Sequence, residues 1–160
     1  MATEEDWAAY RAAVVDVEPP GGEPFRIVPA PPGTAGLWPT GLLPPVVVVT
    51  AWDPGSVRRD EGVNRARHDE LVAELDSLGV TWWPAAGRDP DGDHLEEGLA
   101  VSGLEVPDAL AVGRRYGQAA VYVWTPGSWV VRSCTDSRTE TLGWLCRPGP
   151  STARRTREAR

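Results

Sequence analysis

Residues that could do chemistry lie around one short stretch, "AWDPGS", which contains the polar residues Asp53 and Ser56. It follows the apolar run "VVVVT", and together they predict a buried strand over residues 46–52. The Pro-Gly pair fits a tight turn, and it recurs in "TPGS" within a predicted hairpin near the end of the chain. The turn residues therefore mark no site by themselves, and the interest lies in the residues around them.

A helix is predicted over residues 60–78, ending at Gly79. Its apolar stripe recurs at helical spacing in Leu71, Leu75 and Leu78. Traced back toward the start of the helix, the same face becomes polar, with Asn64, Arg67 and His68. Because buried polar groups need partners, this face must meet other polar groups.

The chain geometry indicates where those partners lie. The end of the 46–52 strand should face the start of the helix, and such junctions are common ligand positions. Two interpretations stay open. In one, Arg67 pairs with Asp53 and Asn64 caps the turn, so that the contacts only brace the loop. In the other, these residues bind a ligand.

The loop "GRDPDGDHLEEG" offers oxygen ligands for a divalent metal, with candidates at Asp89, Asp91 and Asp93. It is not an EF-hand, because His94 and Ala100 stand where that motif needs Gly and Glu. Glu96 and Glu97 must point to opposite faces of a following strand. The alternative is a solvated acidic turn without a metal.

The chain has 160 residues and a net charge of −7, enough for one domain with its own core. The acidic body argues against nucleic-acid binding, except through the basic tail "RPGPSTARRTREAR". No apolar run is long enough to cross a membrane, and the acidic start does not resemble a signal peptide, so we expect a cytoplasmic protein. Glycine-rich phosphate loops and the nucleophile-elbow motif are absent from the sequence, and whether the chain is an enzyme stays open.

The pattern of hairpins and helices predicts an α+β fold. We expect a single domain over residues 1–146, built on a mainly antiparallel sheet of about five to six strands with two main helices on one face. Residues 147–160 are expected to form a disordered basic tail.

Four ordered motifs, "TAWDPGS", "NRAR", "PAAGRDPDGDHLEEG" and "RRYGQAAVYVW", resemble the bacterial family known as domain of unknown function 3293. The resemblance implies a small bacterial cytosolic domain and no particular activity. The residues that fall on the family pattern are Trp52, Pro54, Gly55, Ser56, Asn64, Arg67, Gly87, Asp89, Glu96, Glu97, Gly117 and Gln118. The chain departs from it at Asp53, Gly98, Tyr116 and Ala119, where the pattern has Asn, Ser, Phe and Asn.

We therefore expect a polar cleft at the end of the central strand that binds a small polar ligand or a protein segment. Its candidate residues are Trp52, Asp53, Ser56, Asn64, Arg67, Glu96, Glu97 and Gln118. One alternative is a metal-assisted hydrolase that uses the acidic loop 89–97. Another is a structural or interaction module in which the polar residues only brace the loops. The sequence leaves the oligomeric state and the cofactor open, and a divalent metal is one candidate cofactor.

Overall fold

The computed structural model describes residues 2–92 and 94–150, except for the side chain of Ser56. Its helices are α1 (Glu4–Ala12), α2 (Glu61–Ser77) and α3 (Val106–Arg115). Its strands are β1 (Val14–Val17), β2 (Phe25–Ala30), β3 (Val46–Thr50), β4 (Thr81–Arg88), β5 (Leu95–Ser102), β6 (Ala120–Thr125), β7 (Ser128–Ser133) and β8 (Thr139–Pro148). A short 3-10 turn spans Pro54–Ser56.

All eight strands join one sheet that closes into a barrel in the order β1-β2-β8-β7-β6-β3-β5-β4. Every neighbouring pair is antiparallel, as predicted, and β1 completes the ring by pairing with both β2 and β4. The predicted sheet of five to six strands is wrong in strand number and in shape. Closure depends on pairs such as Val14 with Arg88 and Phe25 with Pro148, which lie far apart in the chain.

Strand β3 is buried on both faces, as its β-branched run predicts, and it separates two cores. Val46 and Val48 point into the barrel, where they join Ile27 and the tryptophans of β6, β7 and β8. Val47 and Val49 point outward and pack against α2 and α3. A strand of alternating side chains with both faces apolar can serve two cores at once.

The described residues form three short helices instead of two, and the predicted α+β fold with an open sheet is replaced by a closed barrel with helices outside it. Helices α2 and α3 cover the outside of the barrel, whereas α1 lies at one end of the barrel and contacts its strands there. There the Tyr122 hydroxyl donates to the backbone oxygen of Tyr10 at 2.9 Å, and Arg11 forms an ion pair with Glu140. Leu71 and Leu75 of α2 are buried as predicted, but Leu78 is 52% exposed because it follows the last helical turn.

The opposite end of the barrel is filled by aromatic side chains. Trp38, from the long loop before β3, packs on Trp124 with ring centroids 4.2 Å apart, and Trp144 meets Trp124 edge-on. Leu42 from the same loop joins this interior core. The interior is thus packed at the Trp124 end, which leaves any open space at the end that carries Tyr122.

The first two residues of the predicted tail, 147 and 148, belong to β8, which runs to Pro148. Residues 151–160 lie outside the described residues, so their predicted disorder stays a prediction. Among the described helices, none combines the length and the apolar character that a membrane span needs.

Candidate functional site

Asp53 lies immediately after β3 in a left-handed backbone conformation, with φ of 43°. Asp is one of the few residues that adopts this conformation without a large penalty. Its backbone N–H donates to Asn64 Oδ1 at 2.9 Å, and Asn64 Nδ2 donates back to Asp53 Oδ1 at 2.8 Å. The Arg59 N–H also donates to Oδ1. These bonds fix the carboxylate and leave its second oxygen, Oδ2, for other partners.

The two glutamates at the start of β5 point to opposite sides of the barrel wall. Glu96 shares the inner face with Gly98 and Ala100, whereas Glu97 faces out toward α2. Burial raises the pKa of the Glu96 carboxyl, and a 3.2 Å hydrogen bond with His94 Nε2 opposes that shift in part. The side chain is 33% exposed. Glu96 therefore places an acidic group at the edge of the barrel interior.

Asp53, His94 and Glu96 form a compact cluster at this end of the barrel. His94 Nε2 lies 3.7 Å from Asp53 Oδ2 and 3.2 Å from Glu96 Oε1, and the three ligand-type atoms all fall within 4.8 Å of one another. One imidazole between two carboxylates can hold a proton or a divalent cation. The cluster joins the end of β3 to the loop before β5.

A chamber of about 90 Å³ lies inside the barrel next to this cluster. Its walls are mostly apolar, and polar groups reach it from Glu96, Asp53 and Gln118. An outer vestibule of about 280 Å³ lies between α1 and the loop around His94. Both cavities are lined by Tyr10, Gly87, Glu96 and Tyr122, and we call these four residues the throat.

Gln118 reaches the chamber because its backbone follows Gly117, which has φ of 70°. Gln118 Nε2 donates to the backbone oxygen of Trp52 at 2.9 Å. Next to it, the Gly55 N–H donates to the Gly117 oxygen at 2.8 Å. The turn after β3 and the turn after α3, which are distant in the chain, are therefore bonded to each other.

Glu97 and the start of α2 form a separate polar group on the outside of the barrel. Arg65 pairs with Glu97 at 2.5 Å and lies over the Trp52 ring at 5.4 Å. His68 is half-buried beside them, and burial lowers its pKa. Arg67 lies elsewhere, with its guanidinium 5.8 Å from the centre of the Tyr116 ring.

The predicted candidates thus divide into two groups. Asp53, Glu96 and Gln118 line the chamber, Asn64 supports Asp53 from behind, and Trp52 contributes its backbone oxygen. Glu97 and Arg67 lie outside the barrel, and the side chain of Ser56 lies outside the described structure.

The acidic loop does not bring together the three aspartates that the sequence suggests as metal ligands. Asp89 lines the vestibule, Asp91 is exposed, and Asp93 lies outside the described residues. Within the described part of the chain, the cluster with metal-binding geometry takes Asp53, His94 and Glu96 instead.

Sequence reasoning missed His94, Tyr10, Gly87 and Tyr122 as members of this site. One signal was available, because residues 94, 96 and 98 share a face once the strand pattern is extended back from Gly98. Tyr10 had no such signal, because α1 comes to lie at the throat only when β1, the strand that follows it, closes the barrel.

The fold and the site define a small closed antiparallel barrel with one aromatic-filled end and one polar end. The model of the family described as "Protein of unknown function (DUF3293)" matches residues 49–121, which run from the end of β3 into β6. The predicted resemblance to this family is confirmed over these residues. No curated protein and no solved structure matches the chain.

Proposed function

We propose that the polar end of the barrel binds a small ligand, with an apolar part in the chamber and a polar head group in the vestibule. The observation that carries this proposal is the position of Glu96, whose carboxyl stands at the throat between the two cavities. The carboxyl is half-buried in a mainly apolar wall, where a polar group needs partners, and His94 is one such partner. Ligand pockets commonly combine apolar walls with a few such polar groups.

The size of the chamber restricts the ligand. A volume of about 90 Å³ compares with roughly 30 Å³ for a water molecule in the liquid, so the chamber takes a short alkyl group or part of a small ring. The remainder of the ligand lies in the larger vestibule, where Arg58, Asp89 and His94 are within its walls.

The experiment blocks the throat and compares binding by ligand-observed NMR with a library of small acids, amines and alcohols. Gly87 faces both cavities, and a Cβ there would meet no atom within 4 Å, so Gly87→Leu adds bulk without a backbone clash. Gly62→Leu on exposed α2 is the matched control, since its Cβ also meets nothing within 4 Å.

We expect some library members to bind the wild type and Gly62→Leu. Their affinity for Gly87→Leu should be at least tenfold lower. Binding that Gly87→Leu leaves unchanged would place the ligand elsewhere and contradict the proposal. A complete absence of binders at millimolar concentration would favour the structural-module alternative. The metal-assisted hydrolase stays a prediction from the sequence.

The proposal includes a cytoplasmic location. It is supported by Cys134 and Cys146, which are free thiols rather than a disulfide.

A further inference from the structure

We propose that Asp53, His94 and Glu96 bind one divalent transition-metal ion at the throat. This inference deepens the proposed function, because the ion would meet the head group of the ligand. It does not depend on that function for its own test, since metal binding is measured without any ligand.

The three donors come from two separate parts of the chain. Asp53 follows β3, while His94 and Glu96 are neighbours on one face at the start of β5. Two donors that share a metal at about 2.0–2.2 Å stand roughly 3–4 Å apart. The distances from His94 Nε2 to the two carboxylates, 3.2 and 3.7 Å, already fall in this range. Small side-chain movements would bring all three donors onto one ion.

The Asp53 carboxylate is buried and held in a fixed orientation beside His94. Asp53 is only 5% exposed, and Oδ1 accepts the hydrogen bonds from Asn64 and Arg59. Its other oxygen, Oδ2, lies 3.7 Å from His94 Nε2. A carboxylate held in this way can bind an ion through its other oxygen without losing the bonds that orient it.

The charge of the cluster supports the same conclusion. In the described structure, the ion pairs within 4.0 Å of Asp53 and Glu96 both go to His94. With a neutral imidazole, two carboxylates face each other without a cation, and a divalent ion would neutralise them. Asn64 meanwhile holds Asp53 as an outer-shell partner holds a metal ligand.

The donor set selects the kind of metal. One imidazole nitrogen with two carboxylate oxygens suits Mn²⁺, Fe²⁺, Co²⁺ or Zn²⁺, whereas Mg²⁺ and Ca²⁺ prefer oxygen ligands alone. Three protein ligands leave coordination positions open toward the chamber and vestibule. The head group of the ligand would then be an oxygen donor, such as a carboxylate or hydroxyl.

The test is calorimetric titration of the full chain with Mn²⁺ and with Co²⁺ alone, after removal of metals with EDTA. The visible absorption of Co²⁺ provides a second readout. The variants are Asp53→Asn, His94→Gln and Glu96→Gln, which keep side-chain size and, at Asp53, the oxygen that Asn64 and Arg59 need. The matched control is Asp91→Asn, an exposed carboxylate in the same loop.

We expect one ion per chain for the wild type and Asp91→Asn, and at least tenfold weaker binding for each of the three variants, with unchanged circular dichroism. Binding should weaken on acidification, because the imidazole must lose its proton to bind a metal. No binding to the wild type, or equal losses in Asp91→Asn, would overturn the inference.

The two proposals fail separately. Library compounds that bind in EDTA and are blocked by Gly87→Leu, together with no metal binding, would retain the ligand pocket and reject the metal. One bound ion without any binding of library compounds would retain the metal and reject the pocket.

Discussion

Asp53 and Asn64 hold each other through two hydrogen bonds, one to the backbone and one to the side chain of Asp53. Asn64 is 2% exposed and lies in the first turn of α2, so this pair joins the helix to the end of β3. The carboxamide satisfies both the N–H of a left-handed residue and one oxygen of its carboxylate. The bracing predicted for Arg67 and Asp53 is therefore carried by Asn64.

Asn64→Ala should lower the free energy of unfolding by about 1–3 kcal/mol, because it leaves the buried N–H and carboxylate of Asp53 without these partners. Urea denaturation followed by tryptophan fluorescence measures the change. Glu70→Ala, at an exposed position of the same helix, is the control and should change stability by less than about 0.5 kcal/mol. Equal stability of Asn64→Ala and the control would show that the pair contributes nothing to stability.

The stability of the protein should depend on pH through Glu96. Its pKa in the folded chain is raised by burial, so the folded state holds this proton more tightly than the unfolded state. The corresponding stability is fully present below the carboxyl's ordinary pKa and is lost as the pH rises through the raised value, by at most about 1.4 kcal/mol per pH unit.

Glu96→Gln should therefore remove the loss of stability over the pH range in which Glu96 is deprotonated. At pH values above this range, the variant should be more stable than the wild type. Denaturation midpoints of both proteins between pH 4 and 8, measured in EDTA, test this expectation. Parallel profiles over the whole range would mean that Glu96 does not carry the dependence.

Gly117→Ala should destabilise the junction between the two turns by about 1–3 kcal/mol. The residue has φ of 70°, and a Cβ would lie 2.8 Å from the Cβ of Pro54. Thermal unfolding is the measurement. Gly127→Ala in the β6–β7 hairpin is the control, because its Cβ would meet nothing within 4 Å. A midpoint for Gly117→Ala equal to that of the control would show that the turns move apart at little cost.

The local elements could be predicted because their signals are local. The two-faced burial of β3 follows from its run of valines, and the ends of α2 and α3 follow from Gly79 and Gly117, both with positive φ. Closure could not be predicted in this way. The pairing of β1 with β4 and of β2 with β8 joins distant segments, and an alternating pattern specifies which side of a strand is buried but not which strand lies beside it.

The candidate site was predictable to the extent that its residues follow strand and helix periodicity. The alternation of Glu96 and Glu97 correctly places one inside and one outside the wall, although the sequence does not say which. Arg67 continues the leucine stripe, so the pattern predicts this arginine as the partner of Asp53. In the structure it is Arg65 that contacts Glu97, because the polar side of α2, and not its stripe, faces the start of β5.

Strand β1, with four residues, is the shortest of the described strands, yet its pairing with β2 and with β4 closes the ring. Loss of residues 1–17 would convert the closed ring into an open sheet with two bare edges, on β2 and β4, that invite aggregation. The N-terminal segment of a second molecule would present the same hydrogen-bonding groups to this gap. Exchange of this segment between two chains would therefore be a simple route to a domain-swapped dimer.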